Sequence, residues 1–277
     1  TVITNQSQSK LKEQAVFLEM NGKQKSQQYI NLKAEESKVI SFTFMADNSA
    51  IQKGVIKIND HPITFDNNYY FTLKQTRKVN VLCINASSNS TAITTLFSND
   101  TALFNFKNSS IKNIDYNALP QQDFILINEA SEFSSGFINS LNKFTNNGGS
   151  VAIFPPKDID LIPYNNSLKQ LKTATLSALE INNTSIDKIN REHPIYQQVF
   201  EGKLDKINFP IVKKYHQIIT SNNNNSITLL TQENKAIFLA LFSKGKGLIY
   251  LFNSPLHSKY NNFSKHALFV PTLLNMA

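Results

Sequence analysis

Residues 79–90 read Val79-Asn80-Val81-Leu82-Cys83-Ile84-Asn85-Ala86-Ser87-Ser88-Asn89-Ser90, and this stretch decides the fold of most of the chain. Its first half is a nearly continuous apolar run, the mark of a strand covered on both faces. Its second half is a turn of small polar residues, and residues 91–98 after it read as a helix. Further along, residues 102–106 look strand-like and residues 124–127 form another buried strand. Ser134-Ser135 can cap a helix in which Phe137, Ile138, Leu141 and Phe144 recur at helical spacing. Asn146-Asn147-Gly148-Gly149 ends that helix, with glycine supplying the left-handed position. Residues 151–154 form a fourth strand, stopped by Pro155-Pro156. A β-α-β-β-α-β order predicts an open, mainly parallel sheet with helices on both faces.

Later residues extend the sheet. Strands are expected at 227–230, 237–242 and 248–252, the last two joined through Lys244-Gly245-Lys246-Gly247. Lysines flanking a hairpin glycine are expected to be solvated. The strand at 237–242 is apolar on both faces and should lie centrally. A terminal helix over 264–275 would pack Leu268, Phe269, Leu273 and Leu274, with Pro271 either kinking it or marking its ordered start.

Upstream of residue 78 the pattern is different. Val16, Leu18 and Met20 alternate, and Asn21-Gly22 follows as a hairpin signal. Ile40, Phe42 and Phe44 alternate with polar residues as a half-buried strand. A strand at 54–58 is broken by Asn59-Asp60-His61-Pro62. Asp66-Asn67-Asn68 turns the chain into the aromatic strand Tyr69-Tyr70-Phe71-Thr72-Leu73, whose rings would fill a core. Five to seven short strands imply a small β-sandwich of immunoglobulin-like type over residues 1–77, followed by an α/β domain over 78–277.

Composition narrows the function classes. The 277 residues carry 28 Lys+Arg against 20 Asp+Glu, one Cys and no Trp. A single Cys excludes a disulfide framework and a Cys-based zinc cluster. The +8 net charge is scattered as lysine pairs such as Lys213/Lys214, without the basic stripe and stacking aromatics of a nucleic-acid binder. No apolar run approaches the roughly 18 residues that cross a bilayer. Asn is heavily used, which fits a biased genome composition better than a function. The run Asn222–Asn225 reads as a polar hairpin tip.

Several stretches carry a family resemblance. Asp60-His61-Pro62-Ile63-Thr64-Phe65-Asp66-Asn67-Asn68-Tyr69-Tyr70-Phe71 runs into the strand at 79–84. Asn146-Asn147-Gly148-Gly149-Ser150-Val151-Ala152-Ile153-Phe154-Pro155 follows a helix. Asn253-Ser254-Pro255-Leu256 and Asn262-Phe263-Ser264-Lys265-His266-Ala267-Leu268-Phe269-Val270-Pro271 come near the end. Together they resemble the extracytoplasmic part of bacterial membrane proteins with an N-terminal BatA (aerotolerance-operon-type) membrane domain. The resemblance implies a β-sandwich followed by a flavodoxin-like, class I glutamine amidotransferase-like domain. It further implies a piece of a membrane-anchored protein, on the periplasmic side of a bacterial inner membrane. The expected partners are its own membrane domain and other envelope proteins. That the chain opens at Thr1 without Met agrees with this expectation.

The chemistry such a domain would need is missing. An amidotransferase mounts a nucleophilic Cys on a tight strand-to-helix bend whose backbone N–H groups hold an oxyanion. The matching bend here is Phe154-Pro155-Pro156-Lys157-Asp158. It has neither Cys nor Ser, and its prolines lack N–H donors. Cys83 reads as a small buried hydrophobe. His257 sits near the place of a catalytic base, but the residue two positions on is Lys259 rather than Glu. His61, His193, His216 and His266 show no metal-ligand spacing, and the first strand-to-helix turn has no Gly for a dinucleotide. The expectation is a non-catalytic interaction module without cofactor or metal. Open α/β sheets bind ligands beyond the carboxyl ends of their strands. A ligand would therefore meet Asn85, Asn128, Glu129, Lys157 and Asp158, with His257 as a further polar group. Glu129 is the best single carboxylate, and the alternative function is small-ligand binding or hydrolysis in that cleft.

Overall fold

A computed structural model describes residues 1–44, 51–60, 64–74, 77–86, 90–197, 199–200, 208–221 and 225–277. The turn residues 87–89, His61-Pro62 and Asn222 to Asn224 lie outside the described residues. The chain divides into two compact units, Thr1–Arg77 and Lys78–Ala277.

The elements of the first unit among the described residues are strands: β1 (Val2–Thr4), β2 (Leu11–Met20), β3 (Lys23–Leu32), β4 (Ser37–Val39), β5 (Ile51–Ile58) and β6 (Asn68–Lys74). β1 and β4 pair as a two-stranded sheet, and the others form an antiparallel sheet in the order β3-β2-β5-β6. Val16, Leu18 and Met20 are buried along β2 as their alternation requires. Asn21 (φ 50°) and Gly22 (φ 75°) make the turn, the pair of positive φ values that matches strand twist in a two-residue hairpin. Val16, Ile30, Leu32 and Ile40 form a small core against Ile3, Leu11, Phe42, Ile56 and Ile58.

Two expectations fail here. The strand expected through Ile40, Phe42 and Phe44 is not one: β4 ends at Val39, where its register with Val2 of β1 ends. Ile40 exchanges its last backbone bonds with Thr1, at 2.8 and 2.9 Å. The rings of Tyr69 and Tyr70 do not fill a core, being 63% and 72% exposed. They lie on β6, the edge of its sheet among the described residues.

The second unit holds β7 (Val79–Asn85), α1 (Thr91–Ser98), β8 (Phe104–Ser110), β9 (Phe124–Asn128), α2 (Ser135–Asn146), β10 (Ser150–Phe154) and α3 (Leu161–Gln170). There follow β11 (Thr175–Ile189), α4 (Pro194–Gln197), β12 (Ile211–Ile219), β13 (Ser226–Gln232), β14 (Ile237–Lys244), β15 (Gly247–Phe252) and α5 (Phe269–Leu274). The strands form one nine-stranded sheet, ordered β12-β11-β13-β14-β15-β10-β9-β7-β8. Its two faces sort the side chains by alternation. Val81, Cys83, Phe124, Leu126, Ala152 and Phe154 join a core with Ile93 and Phe97 of α1 and Phe269 and Leu273 of α5. Leu82, Ile84, Ile125, Ile127, Val151 and Ile153 join a second core with α2 and α3, through Phe137, Leu141, Tyr164 and Leu168.

The sheet is mixed rather than mainly parallel. β8, β7, β9, β10 and β15 pair in parallel, whereas β15-β14-β13-β11-β12 pair antiparallel. Short turns join β13 to β14 and β14 to β15, and a short connection can only reverse the chain. β14 lies inside the sheet, as its two apolar faces require.

Three further readings are corrected. Lys244 is not solvated: it is buried, and its ammonium donates to Asn142 Oδ1 and, at 3.2 Å, to the Gln170 carbonyl. The terminal helix is short, a 3-10 turn at Phe263–Lys265 and then α5 with Pro271 in its first turn, where a missing N–H costs nothing. The strand expected at 102–106 is β8, two residues later. α3 and the 15-residue β11 were not anticipated. Gly247 opens β15 where a Cβ would come within 2.2 Å of the Gly149 carbonyl oxygen and 2.4 Å of that of Thr145. Glycine is therefore required where the sheet meets the end of α2.

Candidate functional site

The carboxyl ends of β7 and β9 carry Asn85 and Asn128, which lie opposite one another in register. Both are buried, so their amides must find partners inside the protein. Asn128 Nδ2 donates to Asn85 Oδ1 at 2.9 Å, and Asn85 Nδ2 donates to Asn108 Oδ1 at 3.0 Å. Asn108 in turn donates to Thr94 Oγ1 on α1, at 3.3 Å. The Ser90 N–H also donates to Asn85 Oδ1, at 3.4 Å, while the Ser90 hydroxyl caps α1 by accepting from Ile93 N–H. A row of amides thus ties three parallel strand ends to the start of the first helix. Among the described residues Asn128 Oδ1 has no hydrogen-bond partner and is buried, a defect that costs on the order of 1–3 kcal/mol when nothing fills it.

Glu129 follows at once. Its backbone is left-handed, with φ 58°, a conformation that costs a non-glycine residue roughly 1 kcal/mol or more. Its N–H is held by the Phe154 carbonyl at 3.0 Å, and its carboxylate pairs with Lys157 Nζ at 3.3 Å. The Lys157 carbonyl accepts from Tyr260 Oη at 3.2 Å, tying this bend to the segment after β15. In that segment His257 Nδ1 accepts from the Lys259 N–H at 3.2 Å. A neutral His257 therefore carries its proton on Nε2 and is a donor there.

These groups border one cleft of about 860 Å³, between the first turns of α1 and the C-terminal segment. That is within the size range of small-molecule sites. Asn128, Glu129, Lys157 and His257 line it. Asn85 does not line it and acts behind the wall by orienting Asn128. Asp158 is exposed on the bend and is not part of the lining. Sequence reasoning missed the opposite wall, made by Leu256, Ser264, Lys265, Phe269 and Leu274, and the helix side at Ala92 and Leu96. No local motif marks these residues; they meet because the chain end folds back over α1.

The bend after β10 has Pro155 and Pro156, both buried. Cys83 is fully buried, and burial pushes its thiol up to about 12, so a thiolate is inaccessible near neutral pH. His216 is buried in β12 with Nδ1 against the Ser177 carbonyl, and burial lowers its pKa. His193 lies before α4, and His266 bonds the Asn208 carbonyl; neither lines this cleft. Among the described residues no group of His, Cys, Asp and Glu could hold a metal ion, and no helix is long and apolar enough to cross a membrane.

No family model matches the sequence, and no curated protein matches it. Solved structures do resemble it. A cytoplasmic protein of Salmonella typhimurium superposes with a TM-score of 0.54 at 13% identity, over 70% of this chain and 96% of its own. A second from Salmonella typhimurium LT2 gives 0.53 at 12% identity, over 71% and 97%. A ThuA-like protein of Bacteroides uniformis gives 0.52 at 12% identity, over 74% and 91%. What is shared is a fold. At such identities the likeness extends to the sheet-rich architecture alone, and the side chains of the cleft belong to this chain.

Proposed function

We propose that this chain is a non-catalytic interaction region of a membrane-anchored bacterial envelope protein, exposed on the periplasmic side of the inner membrane. In this reading residues 1–77 are an immunoglobulin-like sandwich and residues 78–277 a flavodoxin-like, glutamine amidotransferase-like domain that has lost its nucleophile. Six strands in two sheets support the first assignment. The parallel order β8-β7-β9-β10-β15, in which the second strand lies outside the first, supports the second. The resemblance to BatA-domain proteins supplies the membrane setting and the partners, namely the protein's own membrane domain and other envelope proteins.

The observation that carries the non-catalytic reading is the bend after β10: a proline pair stands where the reactive group would be mounted, and Cys83 is sealed in the core. Site-specific crosslinking in native membranes, run beside assays of glutamine and p-nitrophenyl acetate hydrolysis, tests it. Crosslinks to an envelope protein with no turnover support it. Turnover that disappears in Glu129→Gln would overturn it.

A second reading, binding of a small polar ligand in the cleft, is favoured by one specific feature. Asn128 Oδ1 is a buried acceptor without a donor among the described residues, beside the strained Glu129, and such groups cluster where a ligand completes the wall.

A further inference from the structure

The orphaned oxygen of Asn128 has its orientation imposed from behind. The Cys83 thiol and the Ser90 N–H both donate to Asn85 Oδ1, at 3.5 and 3.4 Å, so that atom is an acceptor. Asn128 must offer it the Nδ2, and its own Oδ1 is left buried with no partner among the described residues. The next residue, Glu129, adds an acceptor on the same cleft wall. A bare anion would be repelled there. A bare cation is disfavoured too, since Lys157 and Lys265 border the same cleft and outnumber its one carboxylate. The first turn of α1, with Thr91 and Ala92 on the wall, adds the positive end of a helix. The Ser90 N–H and Asn128 Nδ2 share Asn85 Oδ1, so the start of α1 lies beside Asn128, and the lining also includes the apolar Leu96, Leu256 and Phe269.

We propose that the cleft binds a small zwitterion with an apolar body, of the α-amino acid or short-peptide class. Its ammonium donates to Asn128 Oδ1 and Glu129, its carboxylate faces Lys265 and the first turn of α1, and its apolar part lies against Leu96 and Phe269. The proposal rests on the reading of the cleft as a ligand site and names the ligand class.

Three probes of one shape test it by calorimetry on the full chain: L-phenylalanine, phenethylamine and 3-phenylpropionate. L-Phenylalanine is expected to bind, and the two singly charged probes at least about tenfold more weakly, as loss of a charge-assisted contact implies. Lys265 has an exposed side chain, so Lys265→Ala should keep the melting temperature of the free protein and weaken L-phenylalanine about tenfold. Asn128→Leu should abolish binding; should that variant fail to fold, Glu129→Gln carries the same test. Equal binding of the amine or the acid, or an unaffected Lys265→Ala, overturns the zwitterion. If none of the three binds while sugars or nucleotides do, the ligand class is wrong and the ligand site stands. If nothing from either set binds, both are wrong.

Discussion

The ammonium of Lys244, the last residue of β14, donates to the carbonyl oxygen of Gln170 at the end of α3, 3.2 Å away. It also donates to the side chain of Asn142 on α2, so one lysine pins two helices to the sheet. The contact is favourable for a helix C-terminus, yet it places a charge where water is scarce.

A pH dependence follows from that placement. Burial, and secondarily the neighbouring Lys172 ammonium, lower the pKa of Lys244 from the ordinary 10.5 to about 8. Between those values the unfolded chain holds the extra proton, so stability rises with pH across the window. Urea denaturation at about pH 7.5 and 9.5 should show the wild type gaining stability relative to Lys244→Met. Parallel profiles for the two proteins would show that the buried ammonium carries no penalty.

The amide row predicts a non-additive pair. Asn85→Leu strands Asn128 Nδ2 beside an already orphaned Oδ1 and should cost about 1–3 kcal/mol in chemical denaturation. Replacing both residues by Leu removes donor and acceptor together and should cost less than the sum of the single changes. Strict additivity would mean that the two amides do not depend on one another.

At Gly247 the neighbouring atoms are backbone oxygens, which cannot rotate away. Gly247→Ala should therefore lower stability by at least about 2 kcal/mol. An unchanged midpoint in urea would show that β15 and the end of α2 are not in close contact.

Cys83 offers a direct check on the core. Its thiol is fully buried and held far from ionisation near neutrality, so alkylation should proceed only through unfolding. Iodoacetamide at about pH 8 should leave the native protein unlabelled while modifying it completely in denaturant. Rapid stoichiometric labelling of the native form would place the thiol at the surface and reopen the question of a nucleophile.

Much of the sheet was legible in local pattern. Val79–Asn85 and Phe124–Asn128 are apolar on both faces, and Ser134 caps α2 through a 3.2 Å bond from Phe137 N–H. β11 was not legible, because its 15 residues mix exposed and buried positions and shift register twice against β12. No steady period survives such breaks. For the site, the strand-end residues Asn128 and Glu129 could be named from the sequence, since ligands gather where parallel strands end. Lys265 and Phe269 could not, because their place on the cleft depends on how the last residues cross α1.

Taken alone, the order of amino acids determined which segments are strands covered on both faces, where α1 and α2 start, and that the bend after β10 has two prolines. These follow from interactions within a few residues, namely alternation, capping and the missing proline N–H. Tertiary structure alone decided that the sheet is half antiparallel, that Lys244 is buried while Tyr69 and Tyr70 are not, and that Asn128 Oδ1 has no partner among the described residues. Each of those outcomes depends on which distant segment arrives as a neighbour, and burial and hydrogen bonding between remote residues have no local trace.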